Sequence, residues 1–144
     1  YDYIVLDTPP QLGLMLVNAL IASNSVIVPM TPDRYAVAGL SQLSQTINDV
    51  RRYFNQNLKI EGLLLNKFGG REILSKEAIE ALPEAANLMG TKVLDTKIRM
   101  SMGIRKAQSE RHGLFIGNTA KCTGAEDFKA LAKMIVEGDK NATD

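Results

Sequence analysis

Tyr3-Ile4-Val5-Leu6-Asp7-Thr8-Pro9-Pro10 is a short apolar run closed by a carboxylate and two prolines. A run of this kind reads as a buried strand ending in a turn. Working outward, Leu12 to Ala22 has the composition of a short helix, and Ser25 to Met30, with Val-Ile-Val at its centre, reads as a second strand that Thr31-Pro32-Asp33 ends. Val37, Leu40, Leu43, Ile47, Val50 and Phe54 then recur at three- and four-residue spacings, which predicts an amphipathic helix terminated by Asn55 to Asn57. Ile60 to Asn66 predicts a third strand, and its Leu63-Leu64-Leu65 run implies burial on both faces. Strands that alternate with helices require crossover connections, so the fold class is α/β, a mainly parallel sheet with helices on both faces. Ligands of such a sheet lie outside the carboxyl ends of its strands.

The second half is less regular. Gly69-Gly70 is a flexible turn, followed by a helix from about Ile73 to Leu82 that Pro83 should interrupt. A short helix from Pro83 to Met89 stops at Gly90, and Lys92 to Asp95 is a candidate fourth strand. A basic loop and a helix around Ile104 to Glu110 follow. Thr123 and Glu126 have the spacing of a capping box that opens a last helix through Phe128, Leu131, Ala132 and Ile135. No internal repeat, low-complexity tract or linker interrupts residues 1–138, which read as one domain, and 139–144 read as a disordered polar tail.

Composition excludes several classes. The 144 residues are 45% hydrophobic and 23% charged, the profile of a globular domain rather than a disordered segment. At this length roughly 68–70% of the unfolded surface is buried on folding, enough for a core without disulfides or metal. With one cysteine, Cys122, and one histidine, His112, the chain can build neither an internal disulfide nor a closed zinc site. No apolar run approaches the roughly 20 residues that span a bilayer, and no signal sequence opens the chain, so a cytoplasmic location is expected. The chain enters its first strand pattern without an initiator Met and reads as a piece of a longer protein.

Seventeen Lys and Arg against sixteen Asp and Glu leave a net charge of only +1, so the chain as a whole is no general polyanion binder. The balance is uneven, however. Lys97, Arg99, Arg105, Lys106, Arg111 and Lys121 face only Glu110 between Lys97 and Lys121. That local excess suits either a solvated face or a salt-sensitive contact with nucleic acid. The strand-ending positions offer Asp7, Asp33, Arg34, Asn66, Lys67 and Thr96 to Met100. On its own, Asp7 fits a Mg2+ ligand of the Walker B kind and a turn cap equally well. Asn66 can serve a base edge through its amide or simply form a turn. His112 lacks the nucleophile and supporting acid of a catalytic site, and Cys122 reads as a small, partly buried residue.

Taken together, Tyr1 to Gly13, Asn18-Ala19-Leu20, Tyr35 to Leu43 and Gly124-Ala125-Glu126 with Leu131-Ala132-Lys133 resemble the ParA (Soj) partition ATPases of the ParA/MinD group. The resemblance runs from Tyr1 to about Val136. It implies a P-loop NTPase-like fold and an ATPase that uses ATP and Mg2+. It further implies a homodimer in the ATP state, non-specific DNA binding and stimulation by a ParB-type partner, at the nucleoid and without a membrane. In this resemblance Asp7 matches the catalytic Walker B carboxylate beside the metal, and Thr8 and Pro9 match the turn that senses the γ-phosphate. Asn66 and Lys67 fall at the strand end used for adenine, and Thr96 to Met100, including Ile98 and Arg99, correspond to the loop over the base. Arg99 stands there in place of the usual proline. Arg71 matches a DNA-binding arginine, with Arg105 and Lys106 near a second such site.

One element of that pattern is missing from the 144 residues. They contain no Gly-Lys dipeptide, hence neither the G-x-x-x-x-G-K-[ST] phosphate loop nor the family's second lysine. The chain therefore reads as the C-terminal part of such an ATPase, inactive alone. Two other functions share the fold. One is an ATP-dependent amide ligase of the cobyrinic acid a,c-diamide synthase type, disfavoured by Tyr35 to Leu43. The other is a MinD-like membrane regulator, disfavoured because Glu137 to Asp144 has no apolar face.

Overall fold

The computed structural model describes residues 1–31, 34–69 and 76–141, with the side chains of 34–38, 76–81 and 139–141 left aside. The elements are α1 (Leu14–Ala22), β1 (Ser25–Met30), α2 (Arg34–Tyr53), β2 (Lys59–Phe68), α3 (Lys76–Leu88), β3 (Ile98–Arg99), α4 (Met102–Ser109), a 3-10 turn (Gly117–Lys121) and α5 (Thr123–Asn141). The strands form a sheet of order β1-β2-β3, parallel throughout. β2 is central, and its Leu63, Leu64 and Leu65 are all buried, as a strand covered on both faces requires.

Alternation along the strands sends side chains to opposite faces and divides the core. Leu63 and Leu65 of β2 and Val28 and Met30 of β1 pack with Leu20 of α1, Leu40, Ile47 and Val50 of α2, and Leu82, Ala85 and Ala86 of α3. On the other face Leu64, Leu94 and Ile98 pack with Ile104 of α4 and with Leu131 and Met134 of α5. This is the helices-on-both-faces architecture expected from the sequence. Asn55, read as a helix terminator, also donates through Nδ2 to the carbonyls of Leu20, Ile21 and Ser23, closing the end of α1.

Several local expectations are corrected. Tyr3 to Leu6 forms no strand: residues 1–9 belong to no helix or strand, and Ile4 and Val5 are 78% and 89% exposed. A strand is made by its neighbour's hydrogen bonds, and among the described residues the sheet ends at β1. Pro83 does not break α3, which is one helix with the proline inside it. Burial of Leu82, Ala85, Ala86 and Met89 around the proline offsets the lost hydrogen bond. The expected start near Ile73 lies outside the described residues.

Lys92 to Asp95 shrinks to a single bridge, Val93 to Leu63, with Leu63 N–H donating to Lys92 O and Leu94 N–H to Leu63 O. This approach depends on Gly62, where a Cβ would lie 2.5 Å from Leu94 Cδ2 and 2.9 Å from Lys92 O. The expected basic loop instead contains β3. The last helix begins one residue earlier than its capping box implied. Cys122 takes the capping position, its carbonyl accepting from Ala125 and Glu126 N–H and its Sγ from Ala125 N–H at 3.4 Å. α5 also continues past Gly138 to Asn141, where a disordered tail was expected. α4 and α5 meet closely because residue 124 is glycine, where a Cβ would lie 2.5 Å from Ile104 Cδ1.

Candidate functional site

The carboxyl ends of β2 and β3 lie side by side. Asn66 pairs with Ile98 and Phe68 with Arg99, and the register shifts between them at Lys67, a non-glycine residue at φ 56°. Such a bulge bends the strand and re-aims its end. Asn66 Oδ1 accepts from Lys67 N–H at 2.8 Å, which orients the amide at the strand end. Lys97 Nζ sits 4.9 Å from the centroid of the Phe68 ring. Ile98 is 2% exposed with its side chain in the core, so this residue can offer a ligand only its backbone.

Arg99 is the most heavily bonded residue of this end. Its backbone N–H donates to Asp127 Oδ2 at 2.8 Å, Nε lies 3.1 and 3.0 Å from Asp127 Oδ1 and Oδ2, and Nη2 donates to Oδ1 at 2.6 Å. Glu126 adds a weaker contact at 3.6 Å. The Arg99 bonds hold the Asp127 carboxyl below its ordinary pKa despite the opposing effect of burial, and Asp127 in turn raises that of Arg99. Asp127 was not singled out in the sequence. The sequence carries no signal for it, because a half-exposed arginine is solvated without a carboxylate partner.

Two residues on, Ser101 caps α4, its Oγ accepting from Gly103 N–H at 3.2 Å. α4 presents Arg105 and Lys106 exposed to solvent, beside an open cleft of about 480 Å3 that they line with Met102, Gly103, Asn118, Thr119 and Cys122. The positive charge of this region is smaller than sequence arithmetic implies. Arg99 is paired with Asp127 from outside the counted window, and Lys106 lies 3.8 Å from Glu110. Lys97, Arg105, Arg111 and Lys121 remain exposed around it.

Burial pushes the Cys122 thiol up, but hydrogen bonds from Ser101 and from the backbone of Ala125 and Gly124 bring it below its ordinary value. His112 lies between Gly113 O and Glu110 Oε2, each at 2.9 Å, and these bonds raise its pKa. It finishes the turn after α4, where Arg111 adopts φ 53° and His112 N–H donates to Ala107 O. That is a structural role.

The residues expected at the phosphate end are not brought to this place by any described element. Asp7 and Pro9 are exposed and Thr8 is half-buried, all within the segment outside the sheet. Arg71 and Asp33 lie outside the described residues, as does the side chain of Arg34. Among the described residues no group of three His, Cys, Asp or Glu could hold a metal ion, and no helix is long and apolar enough to cross a membrane.

A family model described as an AAA domain matches residues 1–60. The chain is 38% identical to the sporulation initiation inhibitor protein Soj of Bacillus subtilis (strain 168), over 94% of this chain and 52% of the relative. It is 33% identical to the chromosome partitioning protein ParA of Myxococcus xanthus (strain DK1622), over 96% of this chain and 48% of the relative. The chain thus spans about half the length of these curated relatives. Among solved structures, cobyrinic acid a,c-diamide synthase from Mycobacterium smegmatis superposes with a TM-score of 0.70 at 26% identity, covering 94% of this chain and 47% of that one. The same synthase with bound ADP and magnesium gives 0.54 at 32% identity, over 65% and 37%. The parallel sheet flanked by helices is accordingly a P-loop NTPase-like fold.

Proposed function

From its membership of the ParA/Soj-type partition ATPase family, to which this chain belongs, we propose that the whole protein is an ATP- and Mg2+-dependent partition ATPase. In this reading it dimerises with ATP bound, then holds DNA without sequence preference and answers to a ParB-type partner, in the cytoplasm at the nucleoid. The observation that carries the reading is identity of 30–34% to chromosome-partitioning relatives over 96–98% of the chain. Asn66, Lys67, Ile98 and Arg99 form the base end of the nucleotide site, at the strand termini where such sheets bind ligands. Thr8 and Pro9 follow the γ-phosphate.

Asp7 supplies one hard oxygen donor, which suits Mg2+, an ion that takes one or two carboxylates and completes its shell with phosphate oxygens and water. Bound Mg2+ would neutralise charge on the β- and γ-phosphates. The 144 residues contain no Gly-Lys dipeptide, so the phosphate-cradling loop is not among them, and they do not hydrolyse ATP on their own. Arg105 and Lys106, exposed on α4, and Arg71 contact DNA phosphates. That contact needs no base-stacking platform and weakens with salt.

The test is binding of the full-length protein to arbitrary duplex DNA across a salt series, with ATP and with ADP. The expected result is binding with ATP only, and Arg105→Glu with Lys106→Glu lowering the log–log salt slope by about one per contact. Equal or absent binding in both nucleotide states overturns the DNA role. The fold similarity to cobyrinic acid a,c-diamide synthase favours, as a second reading, ATP-dependent amide formation on a carboxylate, which a nitrogen-donor-dependent ATPase assay would detect.

A further inference from the structure

We propose that Asp127 is a positioning residue for the nucleotide base: its carboxylate fixes Thr96–Met100 at the carboxyl end of β3, and so sets how tightly and how selectively the base is held. This rests on the nucleotide reading above and adds to it a residue from α5, remote in sequence from every strand end.

β3 has only two residues, too few to hold a loop by its ladder alone. Its ties to β2 are the Asn66–Ile98 and Phe68–Arg99 pairs and the donation of Met100 N–H to Phe68 O at 2.9 Å. The Arg99 N–H donates to Asp127 Oδ2 at 2.8 Å, and the same carboxylate takes Nε and Nη2 of the Arg99 side chain. Backbone and side chain of one residue are thereby held by one anion, and charge-assisted bonds of this bidentate kind are the strong and geometrically specific ones.

Asp127 is 9% exposed and sits one turn into α5, beside the fully buried Ala125, so the anchor is itself fixed by packing. The Arg99 side chain remains 47% exposed, which leaves it open to a ligand on its outer side. A pyrrolidine ring at this position would restrain the backbone directly, as the Asp127 bonds do here. Because the Arg99 N–H goes to Asp127, proline at 99 would cost no bond to β2.

The experiment measures ATP and GTP affinity of the full-length protein by competition against a fluorescent ATP analogue, for wild type, Asp127→Asn and the double variant Arg99→Pro/Asp127→Leu. Loss of the charge-assisted bonds in Asp127→Asn should weaken ATP binding about tenfold and narrow the preference for ATP over GTP. The double variant should recover both to within about twofold, because the ring restrains what the carboxylate held. Unchanged ATP affinity and unchanged base preference in Asp127→Asn overturn the proposal, even if its Tm falls, since that is a stabilising role only. If Asp127→Asn does not fold, Asp127→Glu decides, because it keeps the charge but moves the carboxylate by one methylene: a severalfold loss of ATP affinity with a narrowed base preference supports the proposal, and unchanged affinity and preference overturn it. Wild type that binds no ATP overturns the nucleotide reading itself and this proposal with it, a result distinct from a wild type that binds ATP and a variant that binds it equally.

Discussion

Tyr3-Ile4-Val5-Leu6 and Gly62-Leu63-Leu64-Leu65 are apolar runs of equal length that predict the same buried strand, yet only the second is one. Leu63 is fully buried, while Val5 is 89% exposed. The difference is not hydrophobicity. β2 has β1 on one side and the Val93 and Ile98–Arg99 segments on the other, with helices over both faces. The Tyr3–Leu6 run belongs to no strand of the described sheet. An apolar run is thus a capacity for strand formation, which a neighbouring strand must realise.

The sharpest way to break this comparison is truncation in the two runs of the 144-residue chain, followed by urea unfolding. Leu63→Ala should cost about 2–5 kcal/mol, as lost transfer energy and a cavity add together, whereas Val5→Ala should stay within about 0.5 kcal/mol. Equal costs would mean that the first run is buried and the contrast false.

A smaller effect sharpens the reason for β2's burial. Gly62→Val places a side chain against Leu94 and the Lys92 carbonyl, so Lys92–Leu94 must move off the strand. The expected cost is about 1–3 kcal/mol in the same unfolding assay.

The smallest effect concerns the link at the end of β3. Asp127 titrates below an ordinary carboxylate because of Arg99. Its stabilisation is therefore complete above the unfolded carboxyl pKa of about 3.9 and is lost as pH falls through the lower native value. Urea midpoints followed from neutral to acid pH should fall less steeply below pH 4 for Asp127→Asn than for wild type. Parallel curves would show that the pair contributes nothing to the acid limb.

Particular residues show which parts of this molecule could be read in advance. Ser25–Met30, the α2 stripe and Leu63–Leu65 were legible because their patterns repeat over a span longer than any local ambiguity. Gly62 inside an apolar strand was itself a sign that another backbone approaches closely. The Pro83 penalty is local and visible in the sequence, whereas the packing of Leu82, Ala85 and Ala86 that offsets it exists only in the fold. The cap of α5 was misplaced by one residue because Thr123 and Glu126 satisfy a spacing rule, while the Cys122 carbonyl and Sγ occupy the geometry. Of the residues proposed for the site, Asn66, Lys67 and Arg99 stand out in the sequence by their strand-end positions, and Arg105 and Lys106 by charge and resemblance. Asp127 does not, since a carboxylate on an amphipathic helix ordinarily faces water.

The sequence by itself determined β1, α2 and the core of β2, and with them the α/β class with a parallel sheet covered on both faces, because the periods of 2 and 3.6 are local properties that nearby residues express unaided. Only the tertiary structure decided which apolar run gains a neighbouring strand and which carboxylate meets Arg99 across 28 residues of chain. Those outcomes depend on contacts between distant segments, whose energy is set by what lies alongside and is written in no single stretch of sequence.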